Sequence, residues 1–233
     1  MAKREKAGPL AGAKVARPAR RENPLAAPKR RRPQQQRSKA TVEQILNAAV
    51  SVLEAGGFEA TTMKTIADAA GINIATAYSY FPNKHHVLAH LARARLDERL
   101  TLLEAAFERL KVREDWIDGF CATLAELYRL RAEQAGSAAL RQAMHASPSL
   151  WQIDQDGNRR AGILVADLLR AHDDRGGGEG GNRPIQGRVI AEYVTATLDY
   201  LQYSEAATRE ETLAEIVALT RAYLDRIAGP GKR

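Results

Sequence analysis

At 233 residues the chain has room for one small and one larger domain, and its 45% hydrophobic content supplies ample material for their cores. The absence of any long uncharged apolar run excludes a transmembrane helix, the lack of a secretory apolar region points to the cytoplasm, and the single Cys121 excludes an intramolecular disulfide framework. The net charge of +7 averages two unlike parts: residues 1–40 hold thirteen Lys or Arg against Glu5 and Glu22, so everything after them is net acidic.

The first part, residues 1–38, is rich in Ala, Pro and Arg, lacks aromatics and shows no helical stripe, which predicts a disordered basic tail. Its run Lys29-Arg30-Arg31-Arg32 can follow phosphates or enter a minor groove, or simply solubilise the chain. Thr41 and Gln44 have the spacing of a capping box, Ile45, Ala49, Val52 and Leu53 recur at helical spacing, and Gly56–Gly57 stops the run. Thr62 is placed to cap a helix over Met63 to Ala70, with Gly71 supplying a left-handed turn. Asn73 is placed to cap a second short helix, Ile74 to Phe81. On it Ala77 and Phe81 share the inward face, while Ala75, Thr76, Ser79 and Tyr80 fall on the other side with Tyr78 at its edge. Ile45, Ala49, Leu53, Phe58, Ile66, Ala70, Ile72, Ala77 and Phe81 form the expected three-helix core. This is helix-turn-helix geometry, although the spacing alone also fits an ordinary helical hairpin.

The stretch from about Arg37 to Leu91 resembles the TetR family of bacterial transcriptional regulators. The likeness rests on the basic lead-in RSKATVEQIL, the core AAVSVLEAGGFEATTMKTIADAAGI and the ending AYSYFPNKHHVL, in which Tyr78, Phe81, Asn83 and Lys84 match the recurrent aromatic, aromatic, polar and lysine positions. The resemblance implies a DNA-binding domain over residues 39–86 and a ligand-binding and dimerisation domain over 87–233. It also implies that Thr62 and Lys64 meet phosphates, that Ala75, Thr76 and Ser79 face base edges beside Asn73, and that the phenols of Tyr78 and Tyr80 reach the backbone. Lys84 would add a positive side chain to a positive helix end. Half-buried packing is the other reading for Tyr78 and Tyr80. The face carries no Arg, Gln or Glu, so it does not spell an operator sequence.

Beyond Lys84 the chain reads as helical throughout. One helix runs to about Leu110 with Leu88, Leu91, Leu103 and Phe107 inward, and a break is expected near Lys111 to Glu114. A second, Asp115 to Ala135, carries Trp116, Phe120, Leu124 and Leu127, and Ser137 to His145 forms a short third. Ser147-Pro148 opens a helix to about His172, in which Gly157 and Gly162 mark close packing or a flexible wall beside a ligand. Asp173 to Pro184, with five glycines in six positions, is a surface loop; no GK[ST] makes it a phosphate loop.

The last two helices, Ile185 to Tyr203 and Glu211 to Ile227, are apolar around much of their circumference. On the first, Val189, Tyr193, Ala196 and Tyr200 line one side and Ile190, Val194, Thr197 and Leu201 the next, so cover is needed on two sides. Packing against a second copy would give the four-helix interface of the resembled family; an intrachain core is the alternative.

Cys121, on an apolar helix, reads as a buried structural thiol. His86 and His90 have metal-ligand spacing with His85 adjacent, but nothing completes a site, so no metal and no cofactor is expected, and no catalytic constellation is recognisable. The sequence therefore reads as an all-α, homodimeric, TetR-like repressor, not an enzyme, that binds double-stranded operator DNA and is released by a small apolar or aromatic ligand. Trp116, Phe120, Tyr128, Met144, Trp151 and Tyr193 are the candidate ligand-pocket residues. An activator, or a ligand-independent or architectural DNA binder, is the alternative.

Overall fold

The computed structural model describes residues 31–176 and 181–228, so the first thirty residues of the expected basic tail lie outside the described residues. Among the described residues the chain is all-α: α1 Arg31–Ala60, α2 Met63–Ala70, α3 Ile74–Tyr80, α4 Lys84–Leu110, α5 Trp116–Glu133, α6 Ser137–Ala146, α7 Pro148–Gly176, α8 Arg183–Tyr203 and, after a 3₁₀ turn at Ala206–Thr208, α9 Arg209–Ala228.

Helix α1 begins at Arg31, so residues 31–38, assigned above to the tail, are helical. They are mostly Arg and Gln, good helix formers, and Pro33 sits in the first turn where its missing N–H costs nothing. Thr41 is consequently not an N-cap. Its hydroxyl donates back to the Arg37 carbonyl at 3.0 Å, and the Gln44 amide donates to the Ala70 carbonyl at 2.6 Å, closing the end of α2. The helix breaks at Gly57, whose φ of 71° and ψ of −171° lie outside helical geometry.

Three apolar clusters hold the molecule together. The smallest joins α1, α2 and α3 through Ile45, Ala49, Met63, Ile66, Ala70, Ala77 and Phe81, and extends to Val87 of α4. Leu53 and Phe58, expected in that cluster, belong to a second one instead, with Leu88, Leu91, Leu140, Met144 and Leu150. The reason is that Leu53 and Phe58 lie farther along α1, past its contact with α2 and α3 and against α4, α6 and α7. Gly136 N–H donates to the Glu54 carboxylate at 2.5 Å across the same seam.

The third and largest cluster lies among α4, α5, α7, α8 and α9. Within it α7 and α8 touch backbone to backbone: a Cβ on Gly187 would stand 2.3 Å from the Gly162 carbonyl oxygen, and one on Gly162 would stand 3.1 Å from Arg188 Cα. Close packing is therefore the structural use of Gly162. The expected Asp173–Pro184 loop is shorter than its glycines suggest, because α7 runs to Gly176 and α8 starts at Arg183. Buried Arg183 grips Asp173, with its Nε donating to Oδ2 at 2.6 Å, and so ties the two helix ends together.

Candidate nucleic-acid interface and effector cavity

The α2–turn–α3 geometry is set by local hydrogen bonds. Thr62 Oγ1 accepts from Thr65 N–H at 3.1 Å while Thr65 Oγ1 accepts from Thr62 N–H at 2.9 Å, a reciprocal cap that uses Thr where Glu or Gln is usual. Gly71 takes the left-handed φ of 64° and its N–H closes onto the Ala67 and Asp68 carbonyls. Asn73 Oδ1 accepts from Ala75 N–H at 2.8 Å and starts α3.

With Ala77 fully buried and Phe81 nearly so, α3 is held by one face and presents the other. Ala75, Ser79 and Tyr78 are exposed, Tyr78 by 51%, while Thr76 and Tyr80 are half-buried and Tyr80 packs against the small core. Ile74, exposed by 41%, lies one turn before Tyr78 on the same face and was missed in the sequence reading. Its i, i+4 relation to Tyr78 was the available signal. The Ser79 hydroxyl donates to the Thr76 carbonyl at 2.7 Å, leaving its oxygen free to accept from outside.

The cations nearby are already engaged. Lys64 pairs with Asp68 at 2.8 Å on the exposed side of α2, which raises its pKa, but such a surface pair is weak enough to open. The Lys84 ammonium donates to the Phe58 carbonyl at 2.8 Å and lies 4.0 Å from the Phe58 ring centroid. It anchors the first turn of α4 to the end of α1 and keeps two donors. Asn83 Oδ1 caps α4 by accepting from His86 N–H at 3.1 Å.

The histidines serve different neighbours: His85 stands edge-on to Phe58, His90 edge-on to Phe81, and His86 contacts Asn83 through Nδ1 at 2.9 Å. Among the described residues no group of three His, Cys, Asp or Glu side chains is arranged to hold a metal. None of the described helices is long and apolar enough to cross a membrane.

In the body, α4, α5, α7 and α8 line a partly open cavity of about 70 Å³, walled mainly by apolar residues and polar at one end, where Arg99, Arg131, Asp154 and Asn158 line it. Of the six residues singled out for a pocket, Phe120 lines this cavity and Met144 lines a smaller one next to it. The other four line neither. Trp116 stacks on His172 at 4.7 Å, Tyr128 and Tyr193 pack against the large core, and Trp151 lies at the surface beside His145 and Arg141. Aromatic residues at helical spacing mark where helices are filled, whereas the cavity opens where facing residues are small, at Gly157, Ala161 and Ala191.

The polar end is a buried charge network that sequence reasoning missed. Arg131 donates to Asp199 Oδ1 at 2.8 Å, Arg141 donates to Asp199 Oδ2 at 2.6 Å, and Arg141 also pairs with Asp154. Burial pushes the Arg131 guanidinium down, against the pull of Asp199. Charged residues on otherwise apolar helix faces were the signal that could have revealed it.

Comparison with known proteins falls on the same module. Residues 45–91 match the sequence pattern of the bacterial regulatory proteins of the tetR family. The HTH-type transcriptional repressor KstR of Mycobacterium tuberculosis is 41% identical over 46 residues, 20% of this chain and 21% of that protein. The chain thus aligns with only about a fifth of that curated relative. In three dimensions, SmeT, the repressor of the Stenotrophomonas maltophilia multidrug efflux pump SmeDEF, superposes with a TM-score of 0.64 at 23% identity, covering 78% of this chain and 89% of SmeT. A SmeT–triclosan complex superposes with a TM-score of 0.62 at 23% identity, over 79% of this chain and 91% of that one.

Proposed function

We propose that this chain, a member of the TetR family of bacterial regulatory proteins, is a homodimeric repressor that leaves its operator when a small molecule enters the cavity of its helical body. The observation that carries the reading is α3: a short helix capped at Asn73, buried through Ala77, whose free face of Ala75, Tyr78 and Ser79 is small and polar enough to enter a major groove. Thr76 and Ile74 add methyl groups that suit thymine contacts. Thr62, Lys64 and Tyr80 flank this face as phosphate contacts, and Lys84 contributes through its two unused donors at the N-terminus of α4.

Dimerisation is supported by what α8 and α9 leave uncovered. Ile185, Val189, Tyr200 and Tyr203 on α8 and Leu219 on α9 are each more than half exposed. A second copy covering them would set two α3 helices at half-sites one or more turns of DNA apart. The ligand step needs only that the effector bind one body conformation better than another. SmeT, captured with triclosan, is a neighbour in which a small aromatic molecule is bound.

Selecting genomic fragments on the full chain tests the reading. The expected result is enrichment of a few inverted repeats, loss of that enrichment in Tyr78→Ala, and lower output from a reporter carrying the site. Uniform weak retention of every duplex would overturn it, and a reporter that rises with the protein would identify an activator.

A further inference from the structure

The polar end of the cavity is out of charge balance. Three guanidinium groups, Arg99 of α4, Arg131 of α5 and Arg141 of α6, face two carboxylates, Asp154 of α7 and Asp199 of α8. Arg131 and Arg141 divide the two oxygens of Asp199 between them, and Arg141 takes Asp154 Oδ1 as well, while Asp154 Oδ2 is buried without a hydrogen-bond partner. Arg99 is left over. Among the described residues no hydrogen bond or ion pair holds its guanidinium, although it lines both the main cavity and the smaller one behind it. Asn158 and Thr195, also polar and at this end, are occupied: the Asn158 amide donates to Glu192 at 2.9 Å, a carboxylate that is not among the charges acting on Arg99, and its carbonyl accepts from Thr195 at 2.9 Å.

Burial, then the like charges of Arg131 and Arg141, push Arg99 down to about 9 against the pull of Asp154 and Asp199. It is still a cation at neutral pH. A half-buried cation without a hydrogen-bond partner costs free energy that an anion in the cavity would recover. One excess positive charge calls for one negative charge. A carboxylate also matches the planar guanidinium with two parallel hydrogen bonds. The remaining wall, including Leu100, Leu103, Phe107, Phe120, Leu124 and Val165, offers nothing to a second charged group.

We infer that the cavity takes a monocarboxylic acid with a compact apolar body, its carboxylate on Arg99 and its body along α4, α5 and α7. The inference rests on the ligand-release reading above and supplies the chemical class of the ligand. It also narrows the sequence expectation of an apolar or aromatic effector to an acidic one.

The test uses matched probes on the full chain by calorimetry: octanoate against octan-1-ol, and 4-phenylbutyrate against 4-phenylbutan-1-ol. A charge-assisted pair predicts that at least one acid binds about tenfold or more tighter than its alcohol. Arg99→Gln should bring that acid down to the affinity of its alcohol while leaving the alcohol nearly unchanged, and Arg99→Lys should keep most of the preference. Equal binding of acid and alcohol by the unaltered chain, failure of both acids to bind, or an acid preference that survives Arg99→Gln would each overturn the inference. A parallel measurement on a selected operator fragment separates the two readings. An acid that binds through Arg99 without releasing DNA refutes ligand release and leaves this site standing. Release by a neutral compound when neither acid binds refutes the carboxylate site alone.

Discussion

Replacing Gly187 with alanine should destabilise the protein even though alanine is the better helix former. The added Cβ would stand 2.3 Å from the Gly162 carbonyl oxygen, 2.8 Å from the Ala166 nitrogen and 2.9 Å from Ala166 Cβ. Two of those atoms are backbone and the third is fixed to it, so no side-chain rotation relieves the contact. Restoring an ordinary C···O separation near 3.3 Å requires α7 and α8 to part by about 1 Å. Helix propensity returns about 1 kcal/mol, whereas overpacking costs typically about 1–3 kcal/mol and this contact lies at the severe end. Separation also thins the dispersion contacts along the whole α7–α8 seam. The expected net loss is about 2 kcal/mol, read as a lower urea midpoint at unchanged slope and fixed protein concentration. Gly157→Ala is the control. Its Cβ would meet the flexible tip of Leu96 at 2.5 Å, and the variant should stay within about 1 kcal/mol of the parent. If Gly187→Ala unfolds at the parent midpoint or above it, the backbone-contact argument is wrong.

Lys84→Met should remove both the anchor on Phe58 and a phosphate contact. Stability should fall by about 1–2 kcal/mol, and the salt dependence of operator binding by about one unit per monomer. An unchanged salt slope would leave Lys84 with the anchoring role alone. On the proposed reading the parent chain sediments as a dimer, and Tyr200→Glu, on the exposed stripe of α8, should sediment as a folded monomer and bind operator more weakly. Persistence of the dimer would move the interface elsewhere. Cys121 is 5% exposed and burial raises its thiol above the ordinary value, so little thiolate forms near pH 8. Iodoacetamide should react slowly with the folded chain and rapidly in urea; fast reaction of the folded chain would contradict that burial.

The parts legible in the sequence are those fixed by neighbours within four residues. Thr62, Gly71 and Asn73 position α2 and α3 through local hydrogen bonds, so their bounds could be read within a residue. The same local reading misplaced the start of α1, because a Thr-x-x-Gln spacing is equally at home inside a helix. Gln44 is occupied by a carbonyl 26 residues away. The cavity and its charges were hidden for the same reason. Arg131 and Arg141 meet Asp199 across separations of 68 and 58 residues, and a void between four helices is visible in no one of them. Trp116 and Tyr193 attracted notice by their chemistry, yet the space lies where Gly157 and Ala161 leave it.

The division of α1 between two clusters has a consequence for how the molecule can be cut or moved. Ile45 and Ala49 face the α2–α3 head while Val50 and Leu53 face α4, α6 and α7. Val87, just past the boundary expected at residue 86, completes the core of the head. A fragment ending there would lose that residue and leave Leu53 facing water, so the head should not survive excision as a stable fold. The head is less a separate module than the outer end of one framework, in which α4 runs unbroken from Lys84 beside the proposed DNA face to the cavity wall at Arg99 and Phe107. At 1.5 Å per residue that is a rigid rod of about 22 Å from Lys84 to Arg99. A few degrees of tilt at one end of it become ångströms at the other.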